Sequence, residues 1–106
     1  MSTKPVVSSG RWACVTAGEY DERERHVVVN EAVVDVVVHA TGQAPELVRA
    51  AIVAHEVAHA TAPRGMTRDD EERRARAAAV AAAGRTVVDA IDRALIMGWY
   101  GDCSRS

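Results

Sequence analysis

Two histidines and a glutamate lie within five residues in the segment "AHEVAH", residues 54–59. His55 and His59 are four positions apart, so on an α-helix their imidazoles share one face and can bind the same metal ion. Imidazole nitrogens bind Zn²⁺ at about 2.0–2.1 Å. Glu56 is rotated by about 100° from His55, which suits it to a water molecule beside the metal rather than to the metal. The spacing therefore predicts a zinc site with a carboxylate placed as general base.

A catalytic zinc site needs a third protein ligand, and no histidine follows His59 in the sequence. The remaining candidates for the third ligand are acidic residues. Four of them, at residues 69–72, begin the next predicted helix, just across a turn at residues 63–65. Glu72 follows His59 by 13 residues, enough for one helix to end and the next to return a side chain. Acidic residues also favour a helix N-terminus without any metal. The acids that stay open as third ligand are Asp69, Asp70, Glu71 and Glu72.

The first half of the chain contains the elements that must support this helix. Alternation in residues 11–17 and the valines of residues 26–30 predict two strands, which we expect to pair as a hairpin with a long loop. Residues 31–42 are rich in valine, which favours a strand. Their ends favour a helix, because Asn30 can cap its start and Gly42 can close its end. We therefore predict a helix there.

The second half of the chain reads as helices. The helix that carries the histidines begins near Pro45, which suits a first helical turn, and ends at about Thr61. Thr67 can cap the next helix, and Gly84 marks a break. Residues 85–99 carry apolar side chains at helical spacing.

Strands followed by helices indicate a small α+β fold. We expect a single domain over residues 1–106, with flexible flanks at 1–10 and 101–106. In this fold a short N-terminal strand pair precedes three or four helices, including the active-site helix.

Charge and apolar content exclude several classes of partner. The net charge is −2, so nothing draws the chain as a whole to nucleic acid. No apolar run reaches the length of a signal peptide or a membrane span, which predicts a cytoplasmic protein. The two cysteines, Cys14 and Cys103, are then expected to be reduced. The sequence does not indicate an oligomeric state.

At this point the chain resembles a known family. The segments "VVVNEAVVDVVV" and "PELVRAAIVAHEVAHA" are similar to the core of gluzincin metallopeptidases of the HtpX and CAAX-prenyl-endopeptidase type. The absence of their membrane helices makes the soluble, single-domain minigluzincins the closer comparison. The resemblance spans about residues 26–96. It implies zinc bound by His55, His59 and Glu72, with Glu56 as base and Glu71 as the alternative ligand if the register differs by one.

Two positions depart from the family pattern. Arg76 stands where the family has an aspartate that supports a zinc-binding histidine, a type of partner that affects metal affinity strongly. Asp89 or Asp92 of the last helix would have to substitute for it. The family also stabilises the oxyanion with a downstream histidine or tyrosine, and only Tyr100 is available here.

The resemblance implies a zinc-dependent metalloendopeptidase, in which Glu56 activates a zinc-bound water that attacks a peptide bond. If Val27, Val28 and Val29 form the sheet edge beside the active-site helix, they can pair with a peptide or protein substrate by strand addition. One alternative is a catalytically weak or inactive zinc-bound scaffold that binds a protein partner. Another is a metal-free helical interaction domain in which the motif is accidental.

Overall fold

The computed structural model describes residues 5–99, apart from the side chain of Trp99. Within these residues a three-stranded sheet precedes four helices, which confirms the predicted small α+β fold. None of the described helices is long and apolar enough to cross a membrane. The elements are β1 (Val6–Gly10), β2 (Gly18–Asp21), β3 (His26–Asn30), α1 (Glu31–Thr41), α2 (Pro45–Ala60), α3 (Arg68–Ala83) and α4 (Arg85–Trp99).

The sheet has β3 at its centre, with β1 parallel on one side and β2 antiparallel on the other. Val27 is aligned with Val7 of β1 and with Tyr20 of β2. The predicted strand at residues 11–17 is wrong, because those residues form an irregular loop between β1 and β2. Residues 6–10, expected to belong to a flexible flank, form β1 instead.

The loop at residues 11–17 mimics a strand in sequence because its alternation has a different cause. Cys14 is its one fully buried side chain, whereas Trp12 is half-buried and Thr16 is exposed. Trp12 and Thr16 are joined by a hydrogen bond of 2.8 Å from the indole Nε1 to the threonine Oγ1. This contact between positions four apart bends the chain, which an extended strand does not allow.

The helices begin and end at the residues that the sequence predicted. Asn30 accepts a hydrogen bond from the first turn of α1, and Gly42 ends α1 in the left-handed conformation with φ of 70°. Pro45 starts α2. Thr67 caps α3, with its side chain accepting from the Asp70 N–H. These caps satisfy backbone groups that a helix leaves unpaired at its ends.

The core lies between the sheet and three of the helices. Valines of β3 and α1 pack against the apolar faces of α2 and α4. Helix α3 contributes mainly alanines, and such small side chains let it pack closely on its neighbours. Fully buried core side chains include Val27, Val29, Val33, Val37, Val48, Ala75 and Val87.

Cys14 is fully buried and disulfide-bonded. The expectation of a reduced pair is therefore wrong, and the bonded partner lies outside the described residues. Gly98 of α4 packs directly on this loop, because a methyl group added there would overlap the Cys14 carbonyl group. The loop that precedes β2 is thus held against the end of α4.

Asn30 is the polar residue that ties this loop to the helical half of the fold. Its Oδ1 accepts from the Trp12 N–H at 3.2 Å and from the Ala32 N–H at 3.1 Å. Its Nδ2 donates to the carbonyl oxygens of Ala13 at 3.2 Å and Thr16 at 2.9 Å. The Asn30 side chain is fully buried, and its hydrogen-bonding capacity is used by backbone groups of the loop and of α1.

Replacing Asn30 by Ala should lower the free energy of unfolding by about 2–4 kcal/mol, because four hydrogen bonds are lost and buried backbone groups lose their partners. Urea denaturation of metal-free protein measures this difference. Gln43→Ala, which removes an exposed amide, is the matched control and should change stability little. A loss for Asn30→Ala no larger than for this control would contradict the structural role.

A second polar contact joins the start of α1 to the middle of α2. The Arg49 guanidinium donates to both carboxylate oxygens of Glu31, at 2.7–3.2 Å. Ser9 of β1 donates to the same carboxylate at 3.1 Å. The hydrogen bonds from Arg49 lower the pKa of Glu31 most strongly, and the one from Ser9 lowers it further. Partial burial of the carboxylate opposes this shift.

A carboxylate with a lowered pKa in the folded state stabilises the fold above its unfolded pKa, and this stabilisation is lost as the pH falls through the folded value. The ordinary pKa of Glu31 is 4.5. The Tm of the wild type should therefore fall as the pH drops below about that value. In Arg49→Gln this part of the loss should be smaller, and Arg93→Gln, which changes an exposed arginine, should behave like the wild type. Identical Tm profiles for all three proteins would show that the ion pair does not contribute.

Candidate metal centre

Helix α2 carries both histidines at the edge of its buried face. The face buried in the core includes Val48, Ala51 and Ile52. His55 and His59 continue this face along the helix, and their side chains are 37% and 24% exposed. Their ring centroids are 4.7 Å apart, in an edge-to-face arrangement. The two imidazoles are therefore adjacent, half-buried and open to one side.

The first turn of α3 brings acidic side chains to these histidines. Thr67 caps α3 immediately after the turn that follows α2, which fixes where the first helical turn lies. One turn later the Arg74 guanidinium donates to Thr61, at 3.2 Å to its Oγ1 and 3.4 Å to its carbonyl oxygen. This contact holds α3 against the end of α2. As a result, Glu71 and Glu72 both face His59.

His55, His59 and Glu72 form a group that can hold one metal ion. Each offers one ligand atom, and these atoms all lie within 4.8 Å of one another. The Nε2 of His59 is 3.3 Å from Glu72 Oε1, and the Nε2 of His55 is 3.9 Å from Glu72 Oε2. Ligand atoms of a tetrahedral zinc site with bonds of 2.0–2.1 Å are about 3.3 Å apart. The closest pair already has this spacing, and the contact of His55 with Glu72 exceeds it by about 0.6 Å.

Glu71 contacts His59 from the opposite edge of the ring. Its Oε1 is 2.8 Å from His59 Nδ1, a hydrogen-bonding distance. Glu72 reaches the Nε2 of the same ring. The imidazole of His59 is therefore held between two carboxylates that are adjacent in sequence. Of these two, Glu72 belongs to the group of possible metal ligands and Glu71 does not.

Glu56 lies beside His55 on the same side of the cleft. Its Oε1 is 3.8 Å from His55 Nδ1, and its side chain is 17% exposed. The Glu56 carboxylate raises the pKa of His55, burial of the ring opposes this shift, and the charges of Glu72 and Asp92 add to it. The local field thus favours positive charge at His55, and a bound cation would meet the same field.

Gly18, the first residue of β2, allows this strand to lie against α2. A Cβ at this position would be 2.8 Å from Ile52 Cγ2 and 3.3 Å from Glu56 Cγ. The contact with Ile52 is too short for real carbon atoms, so a larger residue here would displace the Ile52 side chain. The sequence motif does not indicate this residue, although a glycine next to an alternating segment signals close backbone approach.

His55, Glu56 and Glu72 border a cleft of about 520 Å³. One wall is the loop that leads into β2, and the other consists of α3 and α4. The floor is apolar and the rim is charged. Lining residues are Val15, Thr16, Ala17, Gly18, Ala51, Ile52, His55, Glu56, Asp69, Glu72, Arg73, Arg76, Ala79, Val88, Ile91, Asp92 and Leu95.

Arg76 points into this cleft and is paired with two acids of α4. Its guanidinium is 2.6 Å from Asp89 Oδ1 and also contacts the carboxylate of Asp92. These hydrogen bonds raise the pKa of Arg76, those from Asp92 most strongly. Asp89 and Asp92 were expected to support a zinc-binding histidine. Their described hydrogen bonds are made to Arg76 instead.

The valines predicted to bind the substrate do not line the cleft. Val27, Val28 and Val29 form the central strand, and both of its hydrogen-bonding edges are occupied by β1 and β2. Their expected role at a sheet edge is therefore wrong. The reason is that residues 6–10 add a strand that the sequence did not reveal. Tyr100, the predicted oxyanion residue, lies outside the described residues.

The metal ligands that the resemblance to gluzincins implies are His55, His59 and Glu72, and the fold brings these three residues together. A group of histidines and acids at a surface also occurs in proteins that bind no metal. Comparisons of the chain with protein-family models, with curated proteins and with solved structures gave no significant match.

Proposed function

We propose that this protein is a zinc-dependent metallopeptidase of gluzincin type. The observation that supports this most is the convergence of His55, His59 and Glu72 within 4.8 Å, with Glu56 beside them in an open cleft. Two imidazoles and one carboxylate are a ligand set of catalytic zinc sites, which keep a fourth position for water or substrate. A zinc ion bound here supplies Lewis acidity, by lowering the pKa of water and polarising a carbonyl group.

In this proposal Glu56 acts on the water and not on the metal. It lies on the same helix as the two histidines, directly after His55, and borders the cleft with His55 and Glu72. Its carboxylate accepts the proton of the attacking water and afterwards donates it to the amine of the leaving peptide. The low exposure of its side chain, 17%, limits competition from bulk water for this proton.

The edge strand that faces the cleft is β2, and it replaces β3 as the element for substrate pairing. β2 contacts β3 on one side only, and among the described residues no strand pairs with its other side. Its first residue, Gly18, lines the cleft next to Glu56. An extended peptide can add to such an edge through main-chain hydrogen bonds. The substrate class that we propose is therefore a peptide or an unfolded protein segment.

A zinc-bound scaffold that binds a protein partner without cleaving it is the second candidate. The observation that favours it is Arg76, which occupies the position of the family's supporting aspartate and is neutralised by Asp89 and Asp92. Such a cation does not strengthen metal binding through a histidine. Zinc binding without turnover on unstructured substrates would favour this candidate.

The location that we propose is the cytoplasm, and the disulfide at Cys14 provides its test. Disulfides persist in oxidising compartments and are rare in a reducing cytoplasm. Thiol labelling of protein taken directly from cells measures the redox state of Cys14. Labelling of Cys14 under denaturing conditions, without prior reduction, would support the cytoplasm, whereas protection of Cys14 by its disulfide would contradict that location.

The purified protein should contain about one zinc ion per chain. Replacing both His55 and His59 by Ala should reduce the content to near zero, because two of three ligands are lost. Glu72→Ala should lower the zinc affinity more than any other single change among the acids at residues 69–72. Metal analysis after dialysis, and competition with a chromogenic chelator, measure both effects.

His39→Ala is the matched control for the histidine changes, because His39 is exposed at the end of α1. It should retain the wild-type zinc content. Circular dichroism of all variants shows whether the fold is kept. Equal zinc content in the wild type and in the double histidine variant would exclude this site as the metal centre.

Glu56→Gln should keep zinc and fold but lose peptidase activity. Glutamine has nearly the same size and can still hydrogen-bond a water molecule, but it cannot accept a proton at neutral pH. A positioned general base contributes about 10²–10⁴-fold to the rate, so cleavage of an unstructured protein should fall by at least about 10²-fold. The assay compares both proteins with and without chelator.

Glu46→Gln, an exposed change in the first turn of the same helix, should leave the cleavage rate unchanged. Loss of zinc from Glu56→Gln would mean that Glu56 is a ligand, and the mechanism would be wrong. A wild type that holds zinc but cleaves no unstructured substrate would favour the binding scaffold.

A further inference from the structure

The contact between Glu71 and His59 is not explained by metal ligation. Glu71 Oε1 lies 2.8 Å from Nδ1, on the edge of the ring that faces away from the three-ligand group. The ligand atom of His59 nearest to Glu72 is Nε2, at 3.3 Å. The two ring nitrogens point in divergent directions, so a carboxylate bound at Nδ1 does not reach a metal bound at Nε2.

The chemistry of this contact determines which nitrogen carries the proton. An ionised carboxylate only accepts hydrogen bonds. A neutral imidazole has one N–H, and the nitrogen that lies nearer to a carboxylate is the one that donates. The contact of Nδ1 with Glu71 is 0.5 Å shorter than the contact of Nε2 with Glu72, which favours the proton on Nδ1. The lone pair of His59 is then on Nε2 and faces the proposed metal position.

We propose that Glu71 is the positioning residue of the metal centre, which holds His59 as the Nδ1–H tautomer with its Nε2 directed at the ion. Carboxylate partners of this kind fix the orientation of a ligating imidazole and make it a better donor. This inference rests on the proposed function. It also assigns different roles to two adjacent residues, since Glu72 binds the metal and Glu71 binds its ligand.

The ion pairs of Arg76 explain why a carboxylate of α3, and not one of α4, orients His59 in this chain. Arg76 occupies the place where the resemblance predicts a supporting aspartate, and it binds Asp89 and Asp92 of α4. Those carboxylates are therefore already paired with a cation. Glu71, one turn earlier on α3, has its described contact with a histidine instead.

The position of Glu71 is well constrained, as a positioning residue requires. Arg74, one helical turn further along the same side of α3, donates to Thr61 at the end of α2. Ala75, on the same face, is fully buried against the neighbouring helices. The Glu71 side chain itself is only 34% exposed. Its carboxylate therefore approaches His59 from a helix that is fixed to α2 at more than one point.

Three variants test whether Glu71 orients His59, binds the metal itself or acts only through its charge. Glu71→Ala removes the acceptor, whereas Glu71→Gln keeps an acceptor oxygen without the charge. Asp70→Ala is the matched control, because it removes a carboxylate from the same turn that is exposed and pairs with Arg73. Each protein is titrated with Zn²⁺ against a chelator and with Co²⁺, whose visible spectrum reports the ligand set. The tautomer of His59 is read from imidazole ¹⁵N NMR shifts of metal-free protein at a pH where the ring is neutral.

Glu71→Ala should weaken Zn²⁺ binding about 10–100-fold, the range typical of such partners. Glu71→Gln should lose less, and Asp70→Ala should bind like the wild type. At saturating Co²⁺ the spectrum of Glu71→Ala should keep the wild-type shape, since the three ligands remain, while that of Glu72→Ala should change. The NMR shifts should show Nδ1–H for the wild type and a shift toward Nε2–H in Glu71→Ala.

A changed Co²⁺ spectrum in Glu71→Ala would overturn the proposal, because Glu71 would then be a ligand. The same tautomer in the wild type and in Glu71→Ala would overturn it too. Failure of the proposed function has a different signature, namely a wild type that binds neither metal. In that case the tautomer measurement still decides whether Glu71 orients His59.

Discussion

The packing of the first turn of α3 against the last turn of α2 is the constraint on which the site depends. Without it, His55 and His59 are two half-exposed imidazoles on a helix, and neither Glu71 nor Glu72 is near them. The cap at Thr67 sets the start of α3, and Arg74 fixes α3 to Thr61. Since successive residues of a helix are rotated by about 100°, the two glutamates between these anchors approach different edges of His59. Local capping thereby sets the geometry of a tertiary site.

The opposite wall of the cleft depends on a separate polar contact. Asn30 holds the loop before β2 through backbone groups at residues 12–16 and also caps α1. Gly18 then lets β2 approach α2 closely enough to contact Glu56. The buried amide of Asn30 and the absence of a side chain at Gly18 therefore position β2 and Glu56, the edge strand and the general base that we propose. Both features are remote from the histidines in sequence, which is why the motif alone does not reveal them.

Local signals allowed the helices to be predicted with nearly correct ends, because caps such as Asn30, Gly42 and Thr67 act within one turn of the chain. The sheet was predicted less well. β1 has exposed valines and its pairing with β3 spans 20 residues of sequence, so no local pattern marks it. The loop at residues 11–17 alternates like a strand, but its alternation reflects a buried cysteine and a side-chain contact.

The same distinction applies to the candidate site. The four-residue spacing of His55 and His59 is a local property, and it places both rings side by side as expected. The choice among four acids depends on how two helices pack, which spacing along the chain does not determine. Family resemblance selected Glu72, and the structure groups that residue with the histidines. The contact of Glu71 with Nδ1 was not anticipated, because the resemblance directs attention to position 76.

The distribution of charge gives a second physical reason for the cation that we propose at this site. Glu56, Glu71 and Glu72 surround two imidazoles, and like charges at such distances repel one another. The raised pKa of His55 is one expression of this excess, since a proton on the ring relieves part of it. Arg76 offsets the acids of α4 on the far side of the cleft, so the excess is concentrated at the histidines. The helix dipole contributes only a fraction of a positive charge at the N-terminus of α3, so it offsets only part of the negative charge of the nearby carboxylates. A divalent cation held by His55, His59 and Glu72 would balance the remaining negative charge while leaving Glu71 on the outer edge of His59, where it orients the ring.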